Sequence, residues 1–227
     1  MMNTLGFVAG LAMLLGAGLA WLRLIPGLVG FGIFALGGLL GVVVAIATII
    51  AVVRGRGMRM GNAVGLLAAA VILGGASLGA GVPSINDFTT DLADPPAFRH
   101  AETLAPNAGR SLAYPADFAA QQRTCCPDLV PVRTADPPAE AFGTAEETAK
   151  SLGWAITASD PAAGTLEAVD TTTVFGFQDD IVVRVRPKPE GGGSIVDMRS
   201  KSRDGKGDMG VNAERIRTFV ARFESAS

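Results

Sequence analysis

The sequence predicts an N-terminal three-helix transmembrane region followed by an α+β domain, an antiparallel sheet of about four strands with helices packed on one face. Three observations predict it. Every acidic residue lies after residue 86, and the first 82 residues carry only Arg23, Arg54, Arg56 and Arg59 as charges. Apolar runs at about 5–22, 28–53 and 61–82 each approach or exceed the roughly 20 residues a helix needs to cross a bilayer core. Beyond them, helical spacing brackets a series of short alternating runs joined by turns, which is the pattern of helices on an antiparallel sheet.

The organisation that follows is a membrane region over 1–82 and an extracytoplasmic domain over 83–227. The second apolar run extends back to Leu24, with room for an interfacial turn around Pro26 and Gly27. Glycines at four-residue spacing (Gly6/Gly10, Gly37/Gly41, Gly61/Gly65 and Gly75/Gly79) let helix backbones approach closely, so the three helices are expected to pack on one another. No ionisable residue interrupts a span, and transport by this chain alone is not signalled. Three arginines lie between the second and third spans and one between the first and second. The positive-inside rule therefore puts the arginine-rich loop in the cytoplasm and the domain in the periplasm of a bacterial inner membrane.

Residues 83–227 hold 15 of the 19 basic residues and all 21 acidic ones, a balance of −6. That excludes a nucleic-acid binder of the basic-patch kind. The length suffices for one core. One histidine, His100, and the adjacent Cys125 and Cys126 leave no His/Cys metal cage, and neighbouring cysteines close no useful loop. No metal and no cofactor is expected.

Residues 84–138 are rich in proline and are expected to be mostly extended, with a short helix near Ala116–Arg123. Helical spacing of Phe142, Ala145, Ala149 and Leu152 predicts a helix from Pro138, stopped by Gly153. Strand-like runs follow at Trp154–Ser159, Thr165–Thr173, Asp180–Arg186 and Ser194–Ser202. A closing helix presents Ile216, Phe219, Val220 and Phe223. Aligning the apolar faces of the last two strands sets Val185 opposite Val196, Arg184 opposite Asp197 and Asp180 opposite Lys201. On that register Arg186, Arg199 and Arg203 have no obvious partner.

The stretch Phe177–Arg217 contains Asp179-Asp180, then Arg199-Ser200-Lys201-Ser202-Arg203, then Gly207-Asp208-Met209-Gly210-Val211-Asn212, then Arg215. It resembles the family called domain of unknown function 1499, of bacteria and plastids. Ile85-Asn86-Asp87-Phe88-Thr89-Thr90-Asp91 and Cys126-Pro127-Asp128-Leu129 resemble further blocks of its bacterial, membrane-anchored branch, where an aromatic usually stands in place of Cys126. The resemblance covers nearly all of 85–224 and implies no established activity.

Candidate ligand-binding residues are Asp179, Asp180, Arg199, Ser200, Ser202, Arg203, Asp208, Asn212 and Arg215; no catalytic residue is assigned. The loop Arg203–Asn212 enters a helix, where free amides and nearby cations can hold a phosphate or an anionic lipid head group. The structural alternative is that Asp208 or Asn212 caps the helix and the arginines pair with Asp179 and Asp180. The run Asp204–Asp208 also has oxygen-bearing residues at calcium-loop spacing, with Lys206 where a ligand is wanted. The expected partners are the lipid bilayer and an envelope protein or anionic head group. The sequence leans away from an enzyme; the alternative is an extracytoplasmic hydrolase using Asp179, Asp180 and the Arg199–Asp208 cluster. A pocket converging on those residues favours the hydrolase, and an internally paired surface favours binding.

Overall fold

A computed structural model describes residues 2–226. The chain forms two compact units: one holds the N-terminal helices together with Thr172–Phe177, and the other holds Gly81–Thr171 and the chain from Gln178 onward.

The first unit contains α1 (Met2–Trp21), α2 (Gly27–Val53) and α3 (Met60–Leu78). All three are long and apolar enough to cross a membrane. Their packing inverts the soluble pattern. The inward residues are small apart from one methionine: Gly6, Ala9, Met13, Gly16 and Ala20 on α1 lie at alternating three- and four-residue spacing. The large side chains point away, with Leu14 74% and Val53 81% exposed. Hydrocarbon gives no reward for burying leucine, so small residues meet where backbones touch. At the closest approach a Cβ on Gly6 would run into the Gly61 carbonyl. Polar contacts also join the helices: Asn62 of α3 donates to Thr48 Oγ1 of α2 at 2.8 Å, and the Gly61 amide of α3 donates to Asn3 Oδ1 of α1 at 2.7 Å. The turn between α1 and α2 falls at Leu22–Arg23, earlier than the expected Pro26–Gly27; Pro26 stands immediately ahead of α2 and Gly27 is already helical.

The second unit is built on an antiparallel sheet of six strands in the order β1–β6–β5–β4–β3: β1 (Asp87–Thr89), β3 (Ala155–Asp160), β4 (Thr165–Thr171), β5 (Gln178–Pro187) and β6 (Ser194–Ser202), with β2 (Val132–Thr134) also paired to β6. β1 lies along residues 199–201 of β6 and β2 along 194–196, so two three-residue strands share one edge. These strands raise the expected four to six. Both fall in the proline-rich segment, which also contains α4 (Phe118–Cys125). The register of β5 on β6 is the expected one: Val185 faces Val196, Arg184 faces Asp197 and Asp180 faces Lys201.

On one face of the sheet lie α5 (Pro138–Ser151) and α6 (Val211–Glu224). Phe142, Ala145 and Ala149 from α5 and Ile216, Phe219 and Phe223 from α6 form the core with Leu166, Ile181, Val183, Val196 and Met198. Trp154 stacks on Phe219 at 5.5 Å between centroids. Each large side chain so buried contributes about 1.5–3 kcal/mol. The opposite face is covered as well. Phe98, Ala101 and Leu112 from the proline-rich segment close over Val182, and β6 is buried along its whole length. The part of the proline-rich segment around residues 98–112 thus forms a third layer, with only two short 3-10 turns as regular structure.

Candidate functional site

Side chains alternate across a strand, so neighbours in sequence face opposite ways. Asp179 and Asp180 are such neighbours, and the nine candidate residues divide between the two faces accordingly.

On the helix face, Arg215 of α6 reaches Asp179 Oδ2 through Nη2 at 2.6 Å. The same guanidinium donates through Nε to Asp170 at 3.0 Å and through Nη1 to Asn212 Oδ1 at 2.8 Å. Ser200 donates to that Asn212 oxygen at 2.6 Å, and Asn212 Nδ2 donates to Ser202 Oγ at 2.8 Å. Ser200 therefore gives its proton to an amide oxygen, a weak base, and receives a hydrogen bond from Arg215 at 3.2 Å. A nucleophilic serine needs a true base there. Asp208 stands two residues before Gly210, the residue immediately ahead of α6. Its carboxylate accepts the amide hydrogens of Gly210 at 2.9 Å and Asn212 at 2.7 Å. Those are the orphan amides that would otherwise bind an anion, so the protein's own carboxylate occupies the helix terminus. Burial nevertheless pushes the Asp208 carboxyl above its ordinary pKa, with the helix amides acting the other way.

On the opposite face three buried carboxylates organise the cations. Asp87 of β1 accepts two bonds from Arg199, at 2.9 and 2.7 Å, and one from Lys201 at 3.0 Å. Arg199 also donates to the carbonyls of Pro96 and Leu112 and lies under Phe98 and Tyr114, 4.8 and 5.4 Å from the ring centroids. It is 2% exposed. Asp180 accepts two bonds from Arg203 Nε and one from its Nη2, and another from Asn107. Asp197 takes Arg184 at 3.0 Å and Arg186 at 2.8 Å, and Asp91 takes Arg186 at 2.7 Å. The hydrogen bond to Asp197 raises the Arg186 pKa further. The Tyr114 hydroxyl is pushed well above the usual phenol range, by burial first and by Asp87 second.

These contacts correct the expectation that Arg186, Arg199 and Arg203 lack partners. Arg186 and Arg203 use carboxylates diagonal to them across β5 and β6, and Arg199 uses a third strand. Lys201, although opposite Asp180, turns to Asp87. Among the described residues, no buried side-chain nitrogen or oxygen lacks a hydrogen-bond partner. Several residues that hold the site did not emerge from the strand alignment. Glu167 is 5% exposed and accepts three backbone amides, from Arg99, His100 and Ala101, which pins the third layer to β4. Asp87 stands in the Ile85–Asp91 block that carries the family resemblance, the one signal in the sequence that singles it out. Cys125 and Cys126 are joined to each other as a disulfide at the end of α4. Two shallow cavities in this unit lie elsewhere: one between α5 and the end of α6, the other between α6 and the segment around β2.

The chain thus combines three candidate membrane helices with a compact α+β unit. Residues 87–223 match the family described as protein of unknown function (DUF1499), and the chain belongs to that family. No curated protein matches the chain.

Proposed function

We propose that the protein is a multi-pass inner-membrane protein that presents its α+β domain in the periplasm as a binding and interaction module for an envelope component. The carrying observation is the mutual neutralisation of the candidate residues. Asp179 is spent on Arg215, Asp180 on Arg203, and Asp87 on Arg199 and Lys201, all buried. A hydrolase needs a base free to take a proton, whereas this arrangement spends its charges on holding a three-layer domain rigid, which leaves the exterior of the domain for contact. The domain boundary near residue 82 and the sidedness of the loop holding Arg54, Arg56 and Arg59 belong to the same proposal, by the positive-inside rule.

Two measurements test it. A phosphatase reporter fused after Ser227 is expected to be active, and activity only from a cytoplasmic reporter at that position would reverse the sidedness. Crosslinking in intact membranes, with identification of the proteins and lipids recovered, separates an envelope protein from an anionic head group as the partner. Turnover of ester or phosphodiester substrates by the purified chain, lost in Asp179→Asn, would replace the binding reading with the hydrolase.

A further inference from the structure

The connection between β4 and β5 is unusual for a hairpin turn. It reads Thr172-Thr173-Val174-Phe175-Gly176-Phe177, and these six residues belong to the helical unit. Within that unit the segment is built in tightly. Phe175 meets Phe31 and Phe34 of α2 at 5.3 and 5.6 Å, and Phe177 meets Phe31 at 5.9 Å and Phe175 at 5.8 Å. Arg23, in the turn between α1 and α2, donates to the carbonyls of Thr173 and Val174 at 3.3 Å and of Ala20 at 3.2 Å. Arg23 is held at φ 58°, a left-handed conformation that costs a non-glycine residue energy and persists where contacts enforce it. Gly27 and Gly176 make the approach possible: a Cβ on Gly27 would strike the Phe175 carbonyl, and one on Gly176 would strike the Arg23 guanidinium.

Around this lock, beside the exposed Arg23 and Thr173, several exposed side chains are large and apolar. Trp21 is 58%, Leu24 67% and Val174 42% exposed, continuous with the outward leucines of α1 and α2. A Trp at the end of a span, an arginine beside it and aromatic rings on the next helix form the combination that residues adopt at the level of lipid head groups. We propose that Thr172–Phe177 is an interfacial membrane element, seated at the boundary between phospholipid head groups and acyl chains at the α1–α2 end of the helices. Phospholipid is the occupant of the exposed Val174–Trp21–Leu24 surface. The reason is adjacency: Trp21 ends one candidate span and Leu24 lies three residues before the next, so the apolar side chains here meet the same solvent as the outward faces of those spans. Arg23 contributes by satisfying the carbonyls of the element, which would otherwise lack donors in that environment.

The test uses the full chain in nanodiscs, in a Trp21→Phe background that leaves the core Trp154 as a constant signal. Val174→Trp and Thr173→Trp place a ring at exposed positions of the element, and Glu190→Trp places one in the exposed β5–β6 turn. Emission of the first two is expected to fall by about twofold or more in lipids with brominated acyl chains, since interfacial rings lie within contact of those chains. Emission of the third is expected to stay as in unbrominated lipid. Quenching of Val174→Trp or Thr173→Trp above the Glu190→Trp level supports the proposal. Quenching of neither, or equal quenching of all three, overturns it.

Discussion

Gln122 closes the outer edge of β1 by bonding both backbone groups of Thr89. The Thr89 amide donates to Gln122 Oε1 at 3.1 Å, and Gln122 Nε2 donates to the Thr89 carbonyl at 2.5 Å. The side-chain amide takes the place of another strand, with Tyr114 donating to the same Oε1 at 3.1 Å. An open edge invites unwanted strand pairing, and here one fully buried glutamine removes the opening.

Gln122→Glu is therefore expected to be worse than its near-identical shape suggests. A carboxylate keeps the acceptor for the Thr89 amide but turns the donor facing the Thr89 carbonyl into a second acceptor. The expected loss is about 1–3 kcal/mol, the cost of leaving a buried polar group unsatisfied. Urea unfolding of the full chain, followed by Trp154 fluorescence, measures it, and faster hydrogen exchange at the Thr89 amide localises it.

Asp87→Ala leaves Arg199 and Lys201 buried without their carboxylate. Breaking a buried pair on one side costs about 3–5 kcal/mol because the surviving charge is uncompensated. Arg199→Met in the same background is expected to recover part of that loss by removing one of the stranded charges. The double variant in the same unfolding experiment checks this; a double variant less stable than Asp87→Ala would contradict it.

These two contacts mark where the sequence is legible. The register of β5 on β6 could be read because both strands alternate over many residues, and one apolar face admits one alignment. The helices α5 and α6 announced themselves by apolar stripes. β1 and β2 did not: three residues are too few for a period, and their place follows from β6 needing a neighbour along its free edge. The site was harder still. Alternation identifies which residues share a face, but Arg199 finds Asp87 across 112 positions of chain. Gln122, Glu167 and Asn107 act through single side chains on backbone or carboxylate groups far away, and no local pattern records that.

Glu167 illustrates the consequence. Its carboxylate gathers three amides at 2.7, 2.8 and 2.7 Å. Glu167→Gln keeps the size but points an N–H group at N–H donors. Hydrogen bonds to a charged group are each worth about 1.5–3 kcal/mol, so the proline-rich layer around residues 99–101 is expected to loosen before the sheet does. Limited proteolysis should then cut first near Arg99, while the Trp154 signal is retained; cleavage unchanged from the parent would argue against this anchoring role.

Tyr114 is the protein's one tyrosine, so its ionisation can be followed by ultraviolet absorbance without overlap from another phenol. Burial and Asp87 raise its folded pKa above the ordinary 10.0. In the unfolded chain it ionises near 10. Between those two values the unfolded state loses the proton and the native state keeps it. The stabilisation is fully present below pH 10 and is lost as pH rises from there towards the folded pKa. Tyrosinate absorbance is expected to appear together with unfolding, not before it. A reversible phenol titration centred near 10 in the folded protein would contradict the packing of this half-buried ring against Arg199.

Asp208 gives a pH dependence at the acid end. Its folded pKa is raised from 3.8, with burial as the largest cause, so the native state holds a proton more tightly than the unfolded chain. Its contribution is present below 3.8 and is lost as pH rises through the folded value. Asp208→Asn removes the buried charge and keeps one acceptor for the helix amides. Relative to that variant, the parent protein is expected to lose stability as pH climbs above 3.8. Asp208→Ala, by contrast, removes both acceptors and should cost about 1 kcal/mol at neutral pH, the usual value of a helix cap. Melting curves of the three proteins across the acidic range decide it. A parent that gains stability over Asp208→Asn as pH rises would mean that the two amide bonds outweigh the burial, and that the α6 terminus holds its carboxylate as an anion site in its own right.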